Sequence, residues 1–485
     1  MFFKQFYDTP LAQASYMVGC QATGEAIVID PSRNVAPYVR AAEQEGLRIV
    51  NVTETHIHAD FVSGSRELSA LTGARMLLSA EGGQDWQYAF AAADNAQLLH
   101  DGDVFMVGNI KFEVMHTPGH TPEHISFVVT DTPAAAGAMG IFTGDFVFVG
   151  DVGRPDLLEK AAQVVGTMES SARTLYASLQ RFRALPDHLQ VWPGHGAGSA
   201  CGKALGAVPF STVGYEKLAN WGLNADSEQA FVDEVLSGQP DPPKYFARMK
   251  HVNREGPRLL RGLATPHKLP SSSIHALVQA SATVIDTRPA ATYAESHVPD
   301  TLNIPYNKSF STWAGWLVPG ETEITLIVNA AEHEITPDVL SQAVRDLAMV
   351  GLDRVTGWMD QAALHAWTEA GHALANVKQV SSQDLAAQFA RNELSLASGS
   401  AMLIDVRNDE EWSHGHLAGA QHLPLGHLLS SIRAGRDIPL IVQCQAGARS
   451  AIAASLLKRA GFSNVTNLTG GYNAWVEDGL PVEHE

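Results

Sequence analysis

His56, His58 and Asp60 stand in the run Thr55-His56-Ile57-His58-Ala59-Asp60-Phe61, three donor side chains within five residues. The spacing is that of an H-x-H-x-D-H metal-binding motif in every position but the last, where Phe61 replaces a ligand. Such donors converge on one cation only if a strand ends here and its loop turns sharply. Losing the fourth donor points to one metal rather than two. Three later stretches carry further donors, each after a β-rich run: His116-Thr117-Pro118-Gly119-His120-Thr121, Phe142-Thr143-Gly144-Asp145, and Trp192-Pro193-Gly194-His195-Gly196. Loops at one edge of a sheet can bring all four together.

A second kind of chemistry stands near the C-terminus. Cys444 follows the apolar run before it and precedes the helical stretch from Ala451 to Arg459, in Val442-Gln443-Cys444-Gln445-Ala446-Gly447-Ala448-Arg449-Ser450. A loop of this kind aims successive backbone N–H groups and a helix N-terminus at the sulfur, which favours thiolate or persulfide. Gln445, Ala446, Gly447 and Ala448 are the candidate substrate-binding stretch, Gly447 lets the backbone curl closely, and Arg449 offers a guanidinium to an anionic sulfur species.

The order of the four metal motifs resembles the metallo-β-lactamase fold over about residues 1–240. Dinuclear zinc hydrolases of that fold, such as glyoxalase II, fill a second site with an Asp, the following His and a later His. Here those positions read Asp60, Phe61 and His195, and a phenyl ring has no lone pair to donate. His56, His120 and Asp145 remain, the ligand types of a facial triad that leaves open positions on Fe(II). The domain is similar to persulfide dioxygenases, a resemblance carried also by Gly144-Asp145-Phe146-Val147-Phe148-Val149-Gly150-Asp151-Val152-Gly153-Arg154-Pro155-Asp156-Leu157. That resemblance implies one mononuclear Fe(II) per chain on His56, His120 and Asp145, with zinc as the alternative metal. It leaves His58 a bystander beside the site, His124 structural, and Asp60 and His195 as hydrogen-bond partners behind the ligands. Arg154 either touches an anionic substrate, orients the triad, or sits in a buried ion pair.

The C-terminal loop, with Asp405-Val406-Arg407, His416-Leu417-Ala418-Gly419-Ala420 and Gly470-Gly471-Tyr472-Asn473-Ala474-Trp475, resembles rhodanese sulfurtransferases. A loop as short as Cys444–Arg449 fits sulfane sulfur rather than phosphate. Asp405 and Arg407 are expected to buttress it. Cys201, in Gly198-Ser199-Ala200-Cys201-Gly202-Lys203, stands shortly after His195 and is either a working thiol near the metal or a packed one; Cys20 reads as structural.

The elements that must position these residues follow from pattern. Ser15 to Val18, Glu25 to Asp30, Val104 to Val107 and Ile110 to His116 read as strands, and Val35 to Glu45 and Ser65 to Thr72 as helices. After Gly238 the chain turns to Gln239-Pro240-Asp241-Pro242-Pro243-Lys244, an interdomain linker with a short helix inside it. Beyond it the chain repeats: Ile285-Asp286-Thr287-Arg288, His297 and Pro305 match Ile404-Asp405-Val406-Arg407, His416 and Pro424 at one common offset. The first copy lacks the thiol, reading Asn329-Ala330-Ala331-Glu332-His333-Glu334 after Leu326-Ile327-Val328. The expected fold is therefore multidomain α/β: an αββα sandwich over 1–240, a linker over 241–270, a degenerate rhodanese-like domain with a parallel sheet over 271–376, and an active one over 377–485.

Length and charge agree with an enzyme of small molecules. At 485 residues, 45% hydrophobic and 18% charged, the chain is too long for one core and calls for two to four globular domains. A net charge of -19 with no Lys/Arg-rich block disfavours nucleic acid and anionic membrane surfaces as partners. Asp8 and Pro10 break the apolar N-terminus before signal-peptide length, and no stretch reaches transmembrane length. Three widely spaced cysteines, Cys20, Cys201 and Cys444, fit a reducing cytoplasm rather than a disulfide scaffold. The whole resembles bacterial persulfide dioxygenase–sulfurtransferase fusions. The resemblance implies a thiol persulfide and O2 as substrates, sulfite and thiosulfate as products, a place in sulfide detoxification, and a homo-oligomer. The rival is a zinc-dependent thioester hydrolase of the glyoxalase II type carrying rhodanese modules.

Overall fold

The computed structural model describes residues 1–160, 166–203, 205–239, 241–328, 337–396 and 398–484. The chain divides into two compact units, Met1–Leu263 with Arg345–Gly351, and Ala264–Val344 with Leu352–Glu485. Among the described residues no helix is long and apolar enough to cross a membrane.

The first unit is built on two six-stranded sheets. One runs Phe2–Asp8, Gln13–Cys20, Glu25–Ile29, Arg48–Thr53, Arg75–Ser79 and Gln97–Leu99, antiparallel at its first two joins and parallel thereafter. The other runs Ser211–Thr212, Gln190–Pro193, Gly140–Gly144, Ile125–Asp131, Ile110–His116 and Val104–Val107. Only its join between Gly140–Gly144 and Gln190–Pro193 is parallel.

Residue alternation explains the layering. On successive positions of one strand Ala26 and Val28 face the layer holding Tyr38, Ala41 and Leu68, from the helices Ala36–Gln44 and Ser65–Thr72. Ile27 and Ile29 face the opposite way, into an apolar layer with Phe112, Phe127, Phe142 and Trp192 of the second sheet. The far face of that sheet, through Ile141 and Val191, packs on Leu175, Leu179 and Phe182 of the helix Met168–Arg183. A strand buried on both faces must be apolar at every position, which is why these strands read as continuous apolar runs. The result is the αββα sandwich expected from the motif order.

The helix Tyr245–Glu255, in the stretch expected to link domains, lies within the first unit, with Tyr245, Phe246, Met249 and Asn253 buried.

The second unit holds two five-stranded parallel sheets with one connectivity. In chain numbering the first is ordered His267–Lys268, Val355–Met359, Ile324–Ile327, Thr283–Asp286, Leu302–Asn303. The second is ordered Lys378–Val380, Val465–Leu468, Leu440–Gln443, Met402–Asp405, Gln421–His422. The sequence repeat is thus a repeat of topology, and it extends to side chains. Arg288 pairs with Asp286 at 2.6 Å and Arg407 with Asp405 at 2.8 Å, both pairs buried. His297 stacks on Tyr293 and His416 on Trp412, with ring centroids 3.9 and 3.6 Å apart.

Register identifies the residue that answers Cys444. Asp405 lies opposite Gln443 and Asp286 opposite Ile327, so the position after each strand is Cys444 in one copy and Val328 in the other. The expectation that Asn329 onward stands in for the cysteine loop is corrected by one residue at its start, because Val328, a buried apolar side chain, takes the thiol's place. Asn329 to Glu334 themselves lie outside the described residues.

Candidate metal centre and sulfur site

Four loops, all at the C-terminal ends of strands, bring the metal-ligand types together. His56 follows the strand Arg48–Thr53, His120 follows Ile110–His116, Asp145 follows Gly140–Gly144, and His195 follows Gln190–Pro193. The Nε2 atoms of His56 and His120 stand 3.9 and 3.6 Å from Asp145 Oδ2. All three side chains are buried and their donor atoms lie within 4.8 Å of one another.

Hydrogen bonds on the far side of each ring decide which nitrogen is free. His120 Nδ1 faces the Arg154 carbonyl at 3.1 Å, and a carbonyl can only accept, so the proton sits on Nδ1 and the lone pair on Nε2. Thr55 Oγ1 spends its own proton on Asp30 Oδ2 at 2.9 Å and so accepts from His56 Nδ1 at 3.0 Å. His56 is oriented as His120 is. Neither oxygen of Asp145 has a hydrogen-bond partner among the described residues. Two inward lone pairs facing a buried carboxylate without donors are an arrangement a cation completes, so the residues fit a metal of the mixed nitrogen–oxygen kind.

Burial, reinforced by the neighbouring His58 and His120, holds His56 well below the usual imidazole range. Burial lowers His120 as well, which favours the neutral ring with a lone pair to offer in both residues. His58 is different. Burial would lower it too, but the Asp30 and Glu54 carboxylates, each 3.1 Å from its Nε2, outweigh this and hold it well above the usual range. Its Nε2 is committed to those two acids. His124 is committed on both nitrogens, accepting from the Asp145 N–H at 3.1 Å and donating to Thr117 Oγ1 at 2.8 Å.

The Arg154 guanidinium is wholly buried and grips Asp156 through two bonds of 2.6 and 2.8 Å, with a third to the Ala200 carbonyl. Of the roles open to Arg154, the geometry favours the buried ion pair: its charge is met by Asp156 inside the fold, and its backbone carbonyl faces His120 Nδ1.

Beside the triad, His195 Nε2 lies 3.3 Å from Asp60 Oδ2 and 3.5 Å from Asp145 Oδ1. Cys201 is buried against the same pair. Burial, with the Asp60 and Asp145 charges, pushes its thiol well above the usual range, and burial raises Asp60 too. Phe61 is fully buried with its ring centroid 4.4 Å from that of His58.

In the second unit, Cys444 directly follows the strand Leu440–Gln443 and the helix Ala448–Arg459 begins four residues on. Gly447, at φ 96°, turns its N–H onto Cys444 Sγ at 3.2 Å. Gln445 is held by Arg407 Nη1 at 3.1 Å and by Asn473, while Ala446 and Ala448 are exposed on the loop. The carbonyls of Cys444 and Gln445 accept from the N–H groups of Tyr472 and Asn473. Arg449 makes two parallel 2.6 Å bonds to Glu411, which raise Arg449 against the effect of burial.

A model of the metallo-beta-lactamase superfamily matches residues 8–195, and a model of the rhodanese-like domain matches residues 386–478. A solved metallo-beta-lactamase from Staphylococcus aureus subsp. aureus COL is 42% identical, covering 74% of this chain and 99% of that one, with a TM-score of 0.66. This chain belongs to the metallo-β-lactamase superfamily, fused to a C-terminal rhodanese-like domain. The mitochondrial persulfide dioxygenase ETHE1 of Homo sapiens is 31% identical over 40% of this chain and 67% of its own length. The hydroxyacylglutathione hydrolase of Rhodospirillum rubrum is 32% identical over 37% of this chain and 60% of its own. The chain spans about 60% of the length of the first curated relatives it matches.

Sequence reasoning missed several residues that hold the metallo-β-lactamase site. Asn253 binds the carbonyls of His58 and Phe61 at 2.8 and 2.7 Å and accepts from the Ser63 N–H at 2.9 Å, clamping the motif loop from the far end of the domain. Asp30 anchors Thr55 through its N–H and hydroxyl. Glu123 accepts from the Ile57 N–H at 2.8 Å, and burial raises its carboxyl to about 7. An isolated Asn or Asp carries no local signal for such a contact; only the position of Asp30 at the end of a strand hinted at one.

Proposed function

We propose that the chain is a persulfide dioxygenase joined to a sulfurtransferase: it oxidises the terminal sulfur of a low-molecular-weight thiol persulfide and passes sulfane sulfur through Cys444. The observation that carries the reading is the triad itself, two outward-anchored neutral imidazoles and one carboxylate without donors, beside a phenyl ring where a further ligand would stand. His56, His120 and Asp145 would hold one Fe(II) per chain, which when bound supplies activation of O2 with open positions for substrate. Thr55, the Arg154 carbonyl and Asn253 keep the ligands in place, and burial of the site excludes bulk water from it.

The first reaction takes persulfide, O2 and water to thiol, sulfite and two protons. In the second, the Cys444 thiolate attacks the outer sulfur of a persulfide and releases the thiol. Sulfite then attacks the outer sulfur on Cys444, forming thiosulfate and restoring the thiolate. The Gly447 N–H and the helix N-terminus stabilise negative sulfur at each stage. Arg407 and Tyr472 hold the loop from behind.

The relation to a hydroxyacylglutathione hydrolase supports a second reading, a zinc-dependent thioester hydrolase of the glyoxalase II type. Phe61 weighs against it, since a hydroxide bridging two metals needs the ligand that is lost. Oxygen consumption by anaerobically purified, iron-loaded protein with a panel of thiol persulfides, with sulfite and thiosulfate quantified together, is the deciding measurement. Persulfide-dependent O2 uptake with sulfite formation is expected; thioester hydrolysis without any such uptake would sink the proposal.

A further inference from the structure

Two helices of the first unit carry apolar side chains beyond those that join its core. On Ala36–Gln44, Tyr38 and Ala41 enter the core, while Ala36 and Val39 line a cavity beside it. On Ser65–Thr72, Leu68 enters the core, while Ala70 and Leu71 line the same cavity, and Leu71 is 63% exposed. Leu259, Leu260 and Leu263 form a third wall. The enclosed space is about 780 Å³, inside the range of roughly 300–1,000 Å³ usual for small-molecule sites.

Polar bonds hold the third wall in place. The buried Glu67 carboxylate accepts from the N–H groups of Leu260 and Gly262 at 2.7 and 3.3 Å. Arg33, also buried, donates through Nη2 to the Arg258 carbonyl at 2.8 Å, and Arg66 donates to the Pro257 carbonyl at 3.1 Å. These contacts fix the backbone of the segment, so its leucines do not close onto Val39 and Leu71. Apolar walls held apart leave dispersion contacts unmade, and an apolar guest supplies them.

The charge around the cavity is one-sided. Arg33, Arg40 and Arg261 line it against a single acid, Glu67, whose carboxylate is taken up by backbone N–H groups. In a chain of net charge -19 this is a local reversal of sign, and concave apolar walls concentrate such a field. Arg40 and Arg261 are exposed, so their guanidinium groups meet a ligand from the solvent side. We infer that this cavity binds a free long-chain carboxylate, with its alkyl chain between Val39, Leu71 and the leucines of the third wall and its carboxylate on Arg40 and Arg261. The acidic chain repels anionic membrane surfaces, which favours the free acid over a lipid still in its bilayer. None of His56, His120, Asp145 and Cys444 lines the cavity, and its ligand is independent of the dioxygenase reading.

Isothermal titration calorimetry of the full, metal-bound chain, stripped of lipid, tests the assignment with dodecanoate kept below its micelle concentration. Saturable binding of one dodecanoate per chain is expected. Dodecanol keeps the alkyl chain but lacks the charge, and should bind about tenfold or more weakly. Arg40→Glu combined with Arg261→Glu should weaken dodecanoate by a similar factor, and Leu71→Ser should weaken both ligands. Arg433→Glu, an exposed reversal in the second unit, should change neither. Absence of saturable binding overturns the proposal, as does dodecanol binding as tightly as dodecanoate or dodecanoate binding that survives the double reversal. Association with phosphatidylglycerol vesicles alone, or binding lost as protein concentration rises, would give the cavity to a membrane or to a second copy of the chain and overturns it too. The two ligands compared on wild-type protein decide by themselves if a variant does not fold. No turnover is read, so this assignment and the dioxygenase reading fail separately.

Discussion

The α-carbon of Gly153 lies against the carbonyl oxygen of Asp145 so closely that a Cβ at position 153 would overlap it. The Gly153 N–H bonds to the Phe146 carbonyl at 3.1 Å, so the two segments are tied together beside Asp145, the proposed carboxylate ligand. Gly153→Ala must push them apart. A loss of about 1–3 kcal/mol in the first unit is expected, with weaker metal retention, because an overpacked contact here moves Asp145 itself. Calorimetry and metal content of Gly153→Ala, against Gly137→Ala, whose added Cβ meets nothing within 4 Å, check this.

Thr55→Val removes the acceptor for His56 Nδ1 while keeping the side-chain shape. The ring then loses the bond that sets its tautomer. Competition with a chelator should find affinity for Fe(II) reduced about 10–100-fold, the range typical for residues that orient a metal-bound imidazole. An unchanged affinity would mean that His56 does not bind through Nε2.

Cys444→Ser is expected to keep persulfide-dependent O2 uptake and to release sulfite where the parent protein gives thiosulfate. Arg449→Lys should lower sulfur transfer about tenfold without touching O2 uptake, because an ammonium cannot reproduce the two parallel bonds to Glu411 that set the position of this charge. Product analysis by chromatography separates the two activities. Normal thiosulfate yield from Cys444→Ser would exclude that residue from the transfer.

Burial lowers His297 from 6.5 to about 4. Between those values the unfolded chain takes up a proton that the folded imidazole refuses, so stability falls as pH drops through this window and is fully present above it. The loss approaches about 3 kcal/mol at its lower end, at about 1.4 kcal/mol per unit. Denaturant unfolding of the second unit from pH 7 to 4 should show wild-type protein losing more stability than His297→Gln. Parallel pH curves would mean that the ring is protonated in the folded state.

What the sequence determined by itself was everything that local spacing encodes. Continuous apolar runs such as Glu25 to Asp30 marked strands buried on both faces, and the strand Glu25–Ile29 is one of them. The matching offsets of Asp286 and Arg288 with Asp405 and Arg407 marked two copies of one topology, since a strand and the loop that follows it are set by neighbouring residues. The donor types His56, His120, Asp145 and Cys444 were visible for the same reason, each standing just past an apolar run. Tertiary structure decided which atom of each residue is available. Whether His120 presents Nε2 depends on a carbonyl 34 residues away, and the motif loop is clamped by Asn253, 192 residues from Phe61. Arg154 was ambiguous in sequence because a guanidinium serves a substrate or a carboxylate equally well, and only packing sealed it against Asp156. Cys201 was ambiguous likewise, and its place beside Asp60 and His195 arises because separate strand-end loops meet at one edge of the sandwich. Such contacts depend on the closure of the whole sheet pair, which no window of local sequence contains.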